Sequence, residues 1–398
     1  MTNDIRAHFP ALQRVHNDLP VAYFDAPGGT QVPLEVTNAM AGYMLHHNAN
    51  THWPYPTSEE TDEIISAARQ AVADLLNADP REIAFGANMT TLTFHLARAL
   101  GRTWAEGDEV IVTELDHHAN IAPWRALEID RGIVVRTARM IPETSQIDYE
   151  HLAGLVSGRT KLIAVGGASN ATGTINDLAR VSAIARSAGA LMFVDAVHLV
   201  PHALVDVRAL GCDFLACSAY KFYGPHIGML YARHELLDSL PFPKLAPAPD
   251  RAPERAETGT QNHEGIAGTL ATIDFMASLG EKGSRRERLG YFYDVTHSEG
   301  MRLARLFHEA LSAMPRVRLY GPEPSQPRTP TISFTIAGLD CDDLARQLAS
   351  QALFASSGDF YASSVCGRFG VDSLLRVGFA CYTSEQEVER LIEAVGRM

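Results

Sequence analysis

Lys221 and Asp195, 26 positions apart, are the pair with the clearest chemical potential in this chain. Lys221 sits in CSAYKFYGPHIGMLYA, just past the apolar run DFLAC (213–217), among few long polar side chains. Partial burial there disfavours the charged form of a lysine and makes its amine nucleophilic. On that stretch alone the alternative is a lysine whose stem lies on apolar surface and whose head reaches water. Asp195 follows the apolar run ALMFV (190–194), at the strand end where open α/β sheets bind ligands. Alone, it reads equally well as a helix cap or turn former. Together, a buried amine and a carboxylate at two strand ends suit pyridoxal 5'-phosphate (PLP). The amine joins the cofactor aldehyde, and the carboxylate keeps the pyridine nitrogen protonated, so that the ring accepts electrons from a substrate carbanion.

A phosphate needs a cradle, and NMTTLTFHLARAL (88–100) offers one. Asn88, Thr90 and Thr91 lead into an apolar-periodic helix, whose first amides and hydroxyls suit a phosphate dianion. Plain N-capping explains the same residues. In ELDHHANIAPW (114–124), His117 and His118 follow the strand-like run EVIVT, where an imidazole could stack on a cofactor or relay a proton. Adjacent histidines seldom point at one metal and no third ligand is evident, so no metal site is expected.

The elements that must position these residues alternate. Residues 59–77 form an amphipathic helical pattern, with Thr57 and Glu60 as a capping box. Apolar runs follow at 109–113, 133–138, 161–165, 190–194, 213–217 and 228–232, and a helix at 178–189 is closed by Gly189. Continuous apolar runs separated by helices are the pattern of a mostly parallel α/β sheet covered on both faces. Residues 241–256 carry five prolines and read as a surface connection. Beyond them lie a long helical region, a strand at 331–336, a helix at 339–351, a strand at 374–380 and a helix at 384–397, which predict a smaller α+β domain.

Composition narrows the function classes. Of 398 residues, 46% are apolar and 20% charged, which fits a folded, core-forming chain. A net charge of −13 without a basic block argues against nucleic acid or an anionic membrane as partner. No apolar run approaches the roughly 18 residues of a membrane span. The polar start MTNDIRAHFPALQ does not read as a signal peptide, so a cytoplasmic location is expected. Five cysteines, an odd count without a CxxC pair, read as reduced thiols. DAPGGT (25–30) lacks the long helix that a dinucleotide fingerprint requires.

In order along the chain, YFDAPGGTQVP, NANTHW, NMTT, ELDHHANIAPW, SNATGT, VDAVH, SAYKFYGPHIG, ETGTQN and LLRVGFACYTSEQEVERL resemble the class V aminotransferase family, and within it the cysteine desulfurase and selenocysteine lyase branch. The resemblance implies PLP fold type I: a mostly parallel seven-stranded sheet in a large domain (24–255), a small α+β domain (1–23 with 256–398), and a homodimer. It implies that Lys221 bonds the cofactor, Asp195 pairs with the pyridine nitrogen and His117 stacks on the ring. His198 would bond the ring hydroxyl, and Asn170 would fix ring and substrate. The Met89 and Thr90 amides, the Thr90 hydroxyl and Ser218 would bind the phosphate. Thr260 would reach the partner's cofactor. Arg376 would clamp the substrate α-carboxylate, and His52 falls on an active-site position.

The chain departs from that pattern at the thiol. Relatives with this arginine carry the catalytic cysteine upstream in a glycine-led loop such as GHHC; here the loop is Gly358-Asp359-Phe360-Tyr361, and Tyr361 takes the cysteine's place. An arginine that precedes the loop in relatives falls on Ser356, and Tyr220 replaces the histidine before the lysine. Cys366, five residues after Tyr361, is the nearest other thiol. A phenol cannot accept sulfur as a thiolate does, though it can donate a proton. The expected reaction is therefore β-elimination from an amino acid, a C–S or C–Se lyase activity. The alternatives are desulfuration through Cys366, another class V reaction (transamination, epimerisation or decarboxylation), and a non-catalytic sulfur-handling protein.

Overall fold

The computed structural model describes residues 5–398. Its larger sheet contains Ile83–Gly86 (β1), Glu109–Thr113 (β2), Val134–Ala138 (β3), Thr160–Gly166 (β4), Leu191–Asp195 (β5), Phe214–Ser218 (β6) and Gly228–Ala232 (β7), in the order β1-β7-β6-β5-β4-β2-β3. The strand β7 runs antiparallel to β1 and β6, and the other four pairings are parallel. Alternate side chains of the central strands feed two cores. Ile111, Ile163, Val194 and Leu215 pack on one face, and Val110, Leu162, Phe193 and Phe214 on the other. This two-sided burial is why these strands are continuously apolar. The six expected strands are present with shifts of a residue at their ends. β1 is additional: four residues, ending in glycine, give too short a period to register.

Helix α1 (Pro56–Leu76) differs from expectation at its start. Pro56 occupies a first-turn position and Tyr55 supplies no side-chain cap, so Thr57 lies inside the helix rather than capping it. Proline is preorganised for that position because the first amides of a helix have no intrahelical partner. Helix α2 (Met89–Gly101) does carry a capping box, between Asn88 and Thr91.

A second sheet contains Val317–Tyr320 (β8), Thr331–Ile336 (β9), Ser356–Gly358 (β10) and Leu374–Gly378 (β11), antiparallel throughout in the order β8-β9-β11-β10. Its core includes Ala22, Phe24, residues from Leu303 onward and the helix Glu385–Gly396. Helix α3 (His263–Ser278) and the first part of α4 (Arg285–Ser312) contribute Ile266, Ile273, Leu289 and Phe292 to the core of the larger sheet instead. The expected boundary at 255/256 precedes a helix whose Ile266 and Ile273 join the core on one face of the larger sheet.

The N-terminal segment joins the two sheets at the site. Ala22 and Tyr23 pair with Leu353 and Phe354, and Asp25 bridges to Gly378. A Cβ on Gly378 would lie 2.3 Å from Pro27 Cδ, so only glycine permits this approach.

Candidate active site

The carboxyl ends of β4, β5 and β6 border a cavity of about 590 Å³ lined by Met89, Thr90, His117, Asn170, Asp195, His198, Ser218 and Lys221, all expected at the site. A second lobe of about 860 Å³ shares Thr90, His117, Asn170 and Lys221 and adds Tyr361 and Arg376.

Lys221 ends the short turn Ala219–Lys221 that follows β6. Its Nζ donates to the carbonyls of Pro27 (2.6 Å) and Gly28 (3.0 Å). Burial, helped by Arg376 and opposed by Asp25 and Asp195, lowers its pKa to about 8. A nucleophilic amine near neutral pH follows.

Asp195 closes β5, and its Oδ1 accepts the Val197 N–H at 3.0 Å. Burial raises its carboxyl to about 6, against the Val197 bond and the Lys221 charge. A protonated ring nitrogen would supply the counter-charge that this buried carboxylate needs.

Asp116 was missed. It accepts the Thr113 N–H at 2.9 Å and also the Gly166 N–H, tying the His117 loop to the end of β4. Burial pushes its carboxyl up to about 7, and the nearby Asp195 adds to the shift. Its sequence signal was a carboxylate just past β2, obscured by the two histidines beside it.

His117 accepts the Ala119 N–H on Nδ1 at 2.9 Å. Burial, with Lys221, His118 and Arg376, lowers its pKa to about 4, so the ring is neutral and suited to stacking. His198 is also held neutral by burial, and its Nε2 lies 3.1 and 3.0 Å from the Thr329 and Thr331 hydroxyls. Only its Nδ1 is left for a ligand.

The phosphate cradle is narrower than expected. The Met89 N–H donates to Ser218 Oγ (2.9 Å) and the Thr91 N–H to Asn88 Oδ1 (2.9 Å). The Met89 amide, expected to bind phosphate, is therefore engaged, and the Thr90 amide remains with the hydroxyls.

Arg376 lies on β11 and is 4% exposed. Nη1 donates to the Asn170 carbonyl (3.1 Å), and Nη2 donates to Asp25 Oδ1 (3.2 Å) and Ser356 Oγ (3.3 Å). Among the described residues, its Nε is buried without a partner, as is Asn170 Oδ1. The Asn170 amide donates to the Phe360 carbonyl at 2.9 Å.

Tyr361 is 73% exposed at the second lobe, its ring centroid 5.5 Å from that of His117. Gly358, Phe360 and Tyr361 all have positive φ, and the His118 N–H holds the Tyr361 carbonyl at 2.8 Å.

Three residues are not brought to Lys221. Cys366 sits on the helix Ser363–Phe369, packs in the core and lines neither lobe. Burial pushes its thiol up to about 11, away from the accessible thiolate that a sulfur-accepting nucleophile must be. His52 and Thr260 line a separate depression. There His52 Nδ1 lies 3.0 Å from Asp62 Oδ1, so within one chain His52 does not reach the substrate lobe.

The Aminotransferase class-V family model matches residues 22–391. The cysteine desulfurase of Dickeya dadantii is 33% identical over 410 residues, covering 99% of this chain and 96% of that protein. That of Pectobacterium carotovorum is 32% identical, covering 99% and 97%. Among solved structures, the apo cysteine desulfurase of Thermococcus onnurineus NA1 superposes with a TM-score of 0.89 at 27% identity, covering 99% of this chain and 97% of that one. The Escherichia coli cysteine desulfurase CsdA superposes at 0.86 and 29% identity, covering 100% and 98%. The chain belongs to the class V aminotransferase family. Within that family it is a cysteine desulfurase-like enzyme dependent on PLP. The site fits that cofactor: a neutralisable amine, a buried carboxylate with no ion-pair partner among the described residues, a neutral imidazole and an Asn170 Oδ1 unpartnered among them converge on one cavity.

Proposed function

We propose that the protein cleaves the β-carbon–sulfur, or selenium, bond of a cysteine-like amino acid by β-elimination. The observation that carries this reading is the residue pair at the loop. Tyr361, a phenol, faces the second lobe, and Cys366 is buried away from it. Bound PLP supplies the electron sink for an α-carbanion. Arg376 holds the α-carboxylate, and the Lys221 amine takes the α-proton. Neutral His117 stacks without adding charge, and Asn170 accepts a bond from ring or substrate. The leaving sulfur departs with the C–S bonding pair and is protonated; with one water, the remainder becomes pyruvate and ammonium. Desulfuration would instead need a thiolate to attack the substrate sulfur, leaving alanine and a protein persulfide.

The acting form in this reading is a cytosolic homodimer in which Thr260 serves the partner's cofactor. Its support is the full-length likeness to the cysteine desulfurases and the position of Thr260 outside its own chain's cofactor cavity. The test is product identification with L-cysteine, S-substituted cysteines and cysteine sulfoxides. Pyruvate and ammonia in equal amounts are expected. Alanine with protein-bound persulfide would overturn the proposal.

A further inference from the structure

PLP carries a phosphate dianion, and a cationic partner strengthens its hold beyond what helix amides and hydroxyls provide. Among the side chains of the 590 Å³ cavity, most candidates are excluded. Lys221 is committed to the aldehyde. Burial holds His117 and His198 neutral. Arg376 belongs to the other lobe and is paired with Asp25. The cradle itself has lost the Met89 amide to Ser218 and the Thr91 amide to Asn88. His226 remains, a cavity residue with no carboxylate in ion-pair contact among the described residues.

The fold places His226 in the cavity that the phosphate cradle also lines. Gly228 opens β7 opposite Ser218, and its backbone packs so closely on Asn88 that a Cβ would fall 2.4 Å from the Asn88 carbonyl carbon. The residue two positions earlier, His226, lines the same cavity as Asn88, Met89 and Thr90 at the start of α2. Its ring is stacked on Tyr220, centroids 4.9 Å apart with 14° between planes. Tyr220 in turn has the Lys221 ammonium 5.0 Å from its ring centroid. We propose that His226, oriented by the Tyr220 ring, is the cationic ligand of the cofactor phosphate. The role depends on PLP and not on which bond of the substrate breaks.

The test uses full-length protein freed of cofactor, as wild type, His226→Gln, His226→Ala and His226→Lys. Each is titrated with PLP and with phosphate-free pyridoxal, following the visible absorbance of the bound form. The Gln and Ala variants should bind PLP about tenfold or more weakly, as expected for loss of a charge-assisted bond. His226→Lys should restore most of that affinity. Pyridoxal should bind all four alike, and the phosphorus NMR resonance of bound PLP should move in His226→Gln. Unchanged PLP affinity, or equal losses for PLP and pyridoxal, would overturn the assignment. Wild-type protein that bound no PLP would instead refute the cofactor itself.

Discussion

The Phe360 ring lies 3.9 Å from the guanidinium carbon of Arg376, and the Phe360 carbonyl accepts the Asn170 side-chain amide at 2.9 Å. One loop residue thus braces both side chains placed to hold the substrate. Its positive φ is part of how the loop turns in to do so. The guanidinium is further fixed by Asp25 and Ser356, in the place where relatives carry a second arginine.

Arg376 then supplies the fork for the substrate carboxylate, with Ser356 beside it in place of a second arginine. Arg376→Lys keeps the charge and loses the planar donor pair. Steady-state kinetics should show KM raised by about tenfold or more, with a smaller fall in kcat, as expected when mainly binding contacts are removed. An unchanged KM would place the carboxylate elsewhere.

The loop thiol can be restored. Tyr361→Cys puts a sulfhydryl at an exposed position beside His117, and sulfane-sulfur assays should then detect protein persulfide, with alanine joining pyruvate as product. Cys366→Ser should leave the product ratio unchanged and lower Tm, because a hydroxyl replaces a buried thiol at a cost of about 1–2 kcal/mol. Persulfide lost on Cys366→Ser in an otherwise native protein would reinstate Cys366.

Lys221 gives a pH signature to the cofactor-free protein. Its pKa falls from the ordinary 10.5 to about 8 on folding. Between those values the unfolded chain binds more protons than the folded one, so this lysine makes stability rise with pH across that window. Below pH 8 the folded state bears the cost of a buried ammonium. In Lys221→Met that pH-dependent term disappears. The Tm of the variant relative to wild type should be highest below pH 8 and should decline towards pH 10.5. A difference that stays constant over that range would mean Lys221 titrates normally.

Much of this was legible in the residues because buried parallel strands advertise themselves as unbroken apolar runs. The run EVIVT became β2 and GMLYA became β7 without adjustment. Lys221 and Asp195 were visible as polar residues directly past such runs. Contacts between distant segments were not legible. Nothing in NMTT shows that Ser218 takes the Met89 amide, and nothing near Cys366 shows that its helix turns the thiol into the core. Which core the helix His263–Ser278 joins is likewise a matter of distant contacts that its own periodicity does not report. His226 escaped notice because an exposed histidine after Tyr-Gly-Pro carries no periodic or motif signal.

The paired bonds from the Lys221 amine to the Pro27 and Gly28 carbonyls give the segment after Asp25 two lives. While the amine is free, it staples that segment to the floor of the cavity. A nitrogen bonded to the cofactor aldehyde would carry at most one proton to donate, so it could serve only one of the two carbonyls. The strap would still be pinned at its far end, where the Thr30 N–H donates to the Tyr220 carbonyl at 3.1 Å, so Asp25 would keep its hold on the substrate-binding arginine whether or not the amine is free.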